Sequence, residues 1–260
     1  MFQLFTFSQL CISPLLPSPL RSANRASLMR TSKCIVVVLF CASFARPAHA
    51  GRPMATDDAD VLDPGACQLE TWNEHTRGQN VSWLNPSCNP FGSTEFALGA
   101  ARQRQDGAPA SNLYSWQIKH RLHKYEEDRP GFALALGGQR DLAAAGTDTF
   151  VKGIMSLPLA GENLLAHVNA GVVHQRREMQ SNYRGSWGIA LDGQVHAGTR
   201  MSMETYAVTA ARANWQLGVR HELIPGRLQV DASVGSPYGR WRNGRVVTVG
   251  LVFVTPDLRR

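Results

Sequence analysis

Ser186-Trp-Gly-Ile-Ala-Leu-Asp-Gly-Gln-Val-His-Ala-Gly198 alternates along almost its whole length. Trp187, Ile189, Leu191, Val195 and Ala197 fall on one parity, which only Gly193 interrupts, and Gly188, Ala190, Asp192, Gln194, His196 and Gly198 fall on the other. Successive side chains of a strand point to opposite faces, so the pattern predicts a two-faced β-strand, one face apolar and the other small or polar. The stretch is long enough to cross a bilayer, which takes about 9–11 tilted residues. A soluble barrel turns its apolar face inward, whereas an outer-membrane barrel turns it outward against lipid. Alternation alone is compatible with both.

The rest of the chain after Gly65 repeats the theme. Strand-like runs separated by turn signals fall at 66–75, 80–88, 94–104, 112–125, 131–140, 148–158, 163–175, 186–198, 200–209, 214–223, 227–235 and 245–254. No segment has a sustained 3.6-residue period, and nothing resembles a βαβ unit. The prediction is all-β: one antiparallel transmembrane barrel of about 12 strands, an even number as bacterial outer-membrane barrels require. Leu228, Val230, Ala232 and Val234 oppose Gln229, Asp231, Ser233 and Gly235. Trp215, Leu217 and Val219 oppose Gln216, Gly218, Arg220 and Glu222.

Connections following even-numbered runs are short, such as Ile224-Pro-Gly226, while those following odd-numbered runs, such as Arg176–Gly185 and Ser236–Gly244, are mostly longer. Short periplasmic turns and long outer loops are the outer-membrane arrangement. Tyr114, Trp116, Trp187 and Trp215 open even-numbered runs and are expected together at one membrane surface, where their polar tips reach water.

Residues 1–50 contain no Asp or Glu. Met29-Arg-Thr-Ser-Lys33, the apolar run Cys34–Phe44 and Ala48-His-Ala50 read as the n-region, h-region and cleavage site of a signal peptide, with cleavage expected after Ala50. Of 27 Lys and Arg, 22 lie beyond that point against 20 Asp and Glu, so the exported chain is nearly neutral. The basic leader is no argument for nucleic-acid binding. Cys67 and Cys88 are the two cysteines left after cleavage; they open and close the first predicted hairpin and are expected to form a disulfide. Residues 51–64, with Thr56-Asp57-Asp58-Ala59-Asp60, lack periodicity and are expected to be a solvated periplasmic segment ahead of a barrel at 65–260. The Gly and Glu positions of an EF-hand calcium loop are missing.

His120 and His123 lie three apart, which puts the imidazoles on opposite faces of a strand and argues against a shared metal. No nucleophile-elbow, zinc-protease, P-loop or dinucleotide motif occurs. The expectation is no enzyme, no cofactor and no metal. Lys119, Arg121, Asp192, Gln194, His196, Glu204, Arg220, Glu222, Gln229 and Asp231 are the expected lumen residues, lining a narrow path or pairing across it. Trp187, Ile189, Leu191, Val195, Leu217, Val219, Leu228 and Val230 are the expected lipid-facing set. Arginines at 176, 177, 184, 240, 242 and 245 fall in predicted loops, either solvated or facing lipid phosphates.

Arg52-Pro-Met-Ala-Thr-Asp-Asp-Ala59, followed by Gly65-Ala-Cys-Gln-Leu-Glu-Thr-Trp72, resembles the start of an exported family labelled phenol meta-pathway (MetA-like) or transporter-like proteins. The resemblance is sharpest over about 52–99. It implies an outer-membrane barrel passing small hydrophobic or aromatic compounds, with membrane lipids and the outer-membrane assembly machinery as partners. The alternative is a soluble periplasmic β-barrel or sandwich that binds a ligand or an envelope protein.

Overall fold

The computed structural model describes residues 54–142, 146–177 and 180–255. The expected leader and cleavage site, and the last residues after Thr255, lie outside them. Twelve strands follow one another: β1 Cys67–Thr76, β2 Gln79–Cys88, β3 Thr94–Gln105, β4 Ser111–His123, β5 Gly131–Asp141, β6 Gly146–Pro158, β7 Leu164–Arg177, β8 Gln180–His196, β9 Thr199–Val208, β10 Asn214–Ile224, β11 Leu228–Pro237 and β12 Val246–Val254. A single helical turn, α1 Trp241–Gly244, precedes β12. Each strand pairs antiparallel with its neighbours, and β1 pairs with β12 from Gln68↔Val254 to His75↔Val247, which closes the barrel. Closure leaves no unpaired sheet edge in the wall.

Alternation sets which face is which. On β8, Gly188, Ala190 and Asp192 are buried, while Trp187, Ile189 and Leu191 are exposed. The lipid-facing expectation for Val195, Leu217 and Val219 falls on exposed side chains as well, and Leu228 and Val230 are half-buried. On β5, Ala133 and Ala135 are buried against exposed Phe132, Leu134 and Leu136. Buried polar residues such as Gln68, Glu70, Gln103, Asn169, Gln216 and Thr248 line the interior. A wall apolar outside and polar inside reverses the soluble barrel and is what a hydrocarbon surround demands.

Cys67 and Cys88 are joined by a disulfide, with Cα atoms 4.0 Å apart at the foot of the β1–β2 hairpin. They are register partners, so the pairing of the two strands has already brought them together.

Three expectations are corrected. First, the loop asymmetry is absent. The connections after odd strands (77–78, 106–110, 142–145, 178–179, 209–213 and 238–245) are no longer as a group than those after even strands (89–93, 124–130, 159–163, 197–198 and 225–227). The supposed long loop 176–185 is mostly wall: β7 runs to Arg177 and β8 starts at Gln180, paired through Val173↔Arg184, His174↔Tyr183 and Arg177↔Gln180. Backbone pairing continues past the apolar band, where alternation of side chains no longer marks it. Second, Gln194 and His196 are exposed at the end of β8 rather than lining the lumen, because a register shift between them ends the alternation just before the turn at 197–198. Third, Thr56, Asp57, Asp58 and Ala59 are buried, with relative exposures of 2%, 4%, 7% and 1%. The segment is not solvated; it fills the barrel.

Both ends of the chain's barrel meet at one rim, where β1 begins and β12 ends. The exposed Tyr114, Trp116, Tyr183, Trp187, Tyr238 and Trp241 lie toward the opposite rim, and Trp241 stacks on Trp215 with centroids 5.4 Å apart. Exposed Phe91, Phe96, Phe132 and Phe253 lie toward the terminal rim. Rings with a polar tip therefore collect at one edge of the apolar band and purely apolar rings at the other, a sorting that two water–hydrocarbon boundaries of different character would favour.

Candidate functional site

The candidate site is the lumen, and residues 54–64 occupy it. The segment crosses from β9 to β3 before joining β1, and several of the backbone groups it buries meet side chains of the wall. Glu204 on β9 accepts the N–H groups of Ala55 and Thr56, one on each carboxylate oxygen, at 2.7 and 2.8 Å. Asn169 on β7 pairs with Asp57 as another backbone would: its Oδ1 accepts the Asp57 N–H and its Nδ2 donates to the Asp57 carbonyl, both at 2.8 Å. Ser156 on β6 accepts the Ala59 N–H at 2.8 Å, and Glu95 on β3 accepts the Leu62 N–H at 3.1 Å. Unmet buried amides cost about 1–3 kcal/mol each, so these contacts are what allow bare backbone to lie there.

Three of the segment's four carboxylates meet cations of the wall. Asp57 pairs with Lys152 at 2.7 Å, Asp58 with Lys119 at 3.3 Å and Asp60 with Arg121 at 2.5 Å. Gln117 also donates to Asp57 at 3.3 Å. Burial opposes ionisation of Asp57 and Asp58, but the neighbouring ammonium charges outweigh it. Lys152 and Lys119 hold Asp57 well below the usual carboxylate range, and Lys119 lowers Asp58. For a depressed carboxylate the attraction is complete above the ordinary aspartate value of about 3.9 and is lost as pH falls through the lowered one. The contribution of Asp57 and Asp58 to docking of the segment, followed by protection of residues 54–64 from added protease, is therefore expected to hold through neutral pH and to be lost only in acid more extreme than the ordinary aspartate value.

Small residues make the room. Ala59 packs against Ala133, Ala135 and Ile154, so the inward alanines of β5 are the floor on which the segment lies. At Gly188 an added Cβ would stand 2.7 Å from the Thr56 hydroxyl and 3.5 Å from its Cβ. The glycine that looked only like a small residue of the polar face is the notch for Thr56.

The predicted lumen residues divide into two groups. Lys119, Arg121 and Glu204 hold the segment. Asp192 instead gathers cations of the wall, Arg220 at 2.6 Å and Arg200 at 3.1 Å, and Asp231 is the register partner of Arg220. Gln229 is buried and Glu222 half-buried toward the terminal rim. Sequence reading missed Lys152, Asn169, Ser156, Glu95 and Arg200. Lys152 had a signal: it and Lys119 lie on the inward parity of their strands, and both are level with Ala135.

It also missed an apolar lumen cluster. Trp72 and Trp83 stack with centroids 5.4 Å apart and pack with Val81, Ala101 and Leu113 inside the wall, toward the far rim. Trp72 Nε1 donates to Glu74 at 2.7 Å. The lumen is thus filled by a charged segment on one side of its length and by wall aromatics on the other.

Ser156 and His167 face each other across β6 and β7, with Oγ 2.8 Å from Nδ1. The strand register brings together a pair that chain spacing did not reveal. His120 and His123 do not converge: His120 bonds Thr94 at 2.8 Å, and His123 bonds the Lys124 carbonyl at 2.6 Å.

A family model described as "Uncharacterised conserved protein UCP029691" matches residues 36–253, and the chain belongs to that family. This replaces the phenol meta-pathway resemblance: a shared opening of a few residues is weaker than a match across the barrel. No curated protein matches the chain. Among solved structures, the barrel is similar to a KdgM porin in complex with disordered oligogalacturonate (TM-score 0.57, 10% identity, covering 72% of this chain and 98% of that one). It is also similar to the NanC porin (0.56, 7%, 72% and 98%) and to the COG4313 outer membrane channel from Pseudomonas putida F1 (0.54, 11%, 76% and 98%). At such identities the likeness is one of fold: the twelve-stranded barrel has the architecture of outer-membrane channels.

Proposed function

We propose that this family member is a narrow outer-membrane channel for small solutes, held closed by its own residues 54–64. One observation carries the reading: a closed barrel, apolar outside and polar within, holds in its lumen a segment that belongs to no strand and is bound by side chains. A protein that needed only a filled core would be expected to fill it from the wall. A twelve-strand barrel lies between the filled eight-strand kind and the open porins of 16–18 strands, so one extended segment is about the right size to close it. The exposed leucines, valines and phenylalanines of the wall oppose a soluble periplasmic barrel, which would bury them.

The lumen's ions and amides suit a polar solute better than the hydrophobic or aromatic compounds that the resemblance implied. Transport is also the better use of Ser156 and His167, whose hydroxyl is engaged by the Ala59 amide. Membrane fractionation tests the location. The protein is expected in the outer membrane, to migrate differently when heated in detergent, and to be absent from an osmotic-shock fluid; release by shock would contradict the reading.

A further inference from the structure

The ions of the lumen are not answered in one way. Arg200 and Arg220 converge on Asp192, so the wall itself supplies that pairing. Lys119, Arg121 and Lys152 form their ion pairs with the segment. Lys119 and Lys152 both stand level with Ala135, two strand spacings or about 10 Å apart, and Arg121 is two residues along β4 from Lys119. On β5, between them, Ala135 and Ala133 are the register partners of Lys119 and Arg121. Across the lumen, Glu204 and Asn169 present groups that bind polar hydrogens and carbonyls. This is a cleft with three cations and the carboxylate of Glu95, the register partner of Lys119, on one side, hydrogen-bonding groups on the other and a small apolar floor.

We propose that Lys119, Arg121 and Lys152 are the binding site for a small polycarboxylate solute, whose carboxylates take the places of Asp58, Asp60 and Asp57 when the segment withdraws. The inference rests on the channel reading above and deepens it. The segment is then a competitor built into the chain: it closes the path by imitating what the path binds. Withdrawal without replacement would take from each of the three cations the carboxylate that the segment gives it, so an anion that restores those carboxylates is the solute that the opened site favours.

The test uses the chain lacking residues 54–63 and, in case that deletion impairs folding, the full-length Asp57→Asn/Asp58→Asn/Asp60→Asn chain, each checked for heat-modifiable migration. Citrate, with glucose as the neutral solute of similar size, is titrated calorimetrically in detergent and added to planar bilayers. Citrate is expected to bind and to block the current, and glucose to do neither. Lys119→Gln/Lys152→Gln in the deleted chain is expected to weaken citrate binding at least ten-fold. A peptide Thr-Asp-Asp-Ala-Asp is expected to compete with citrate, and Thr-Asn-Asn-Ala-Asn to fail. Equal binding of citrate and glucose, or citrate binding unaffected by the double substitution, would overturn the inference while leaving a conducting channel intact. Citrate binding without any current would instead sink the channel reading and leave the site standing.

Discussion

Deleting residues 54–63 is expected to turn a nearly silent barrel into one with a small, steady conductance. The segment is held by three ion pairs and by side chains that accept or donate to its backbone, all of which reside inside the wall. None of the wall's ladder hydrogen bonds passes through it, so its removal takes no hydrogen bond from the twelve-strand pairing. A single substitution should act in the same direction. Lys152→Ala removes the cation closest to Asp57, and breaking one partner of a buried ion pair costs about 3–5 kcal/mol. Even 3 kcal/mol corresponds to roughly a 100-fold shift from docked toward undocked. The current stays small because Trp72 and Trp83 still narrow the lumen from the wall.

The second large effect is expected outside the barrel. Leu191 lies within the apolar band of β8, flanked by Ile189 on its own strand and paired in register with Ala166 and Met203. Leu191→Arg places a charge against hydrocarbon and is expected to cost about 2–4 kcal/mol near the bilayer midplane. Gln194→Arg, three residues along at the exposed end of the strand, is expected to be nearly neutral. Urea unfolding in lipid vesicles measures both; similar losses at the two positions would mean that the outer face is not lipid-facing.

Much of the wall was legible because the period of a strand is two and this chain keeps it. Ser186–Gly193 shows its two faces directly, and the two faces of β5, β10 and β11 follow in the same way. Two kinds of information were not legible. Strand ends were one: Gln180–Gly185 carries polar side chains on both faces, and its cross-strand contacts, Ser181 and Tyr183 with His174, follow from the register and leave no alternation in the sequence. The segment in the lumen was the other. Thr56-Asp57-Asp58-Ala59-Asp60 has the composition of a solvated terminus, and its partners lie far along the chain, at Asn169, Lys152 and Glu204. The sequence did hold a hint in the inward lysines and the alanines between them, which together describe a cationic cleft with room in it. The stacked Trp72 and Trp83 break the polar-inside rule and could not be inferred from it.

The central claim is that residues 54–64 close the path, and a cross-link tests it most directly. An added Cβ at position 188 would lie 3.5 Å from the Cβ of Thr56, within the range a disulfide spans. Thr56→Cys/Gly188→Cys placed in the Lys152→Ala chain should give a barrel that is silent when oxidised and conducts when reduced, with the Lys152→Ala chain itself conducting under both conditions. A current that persists in the oxidised, cross-linked chain would contradict the account.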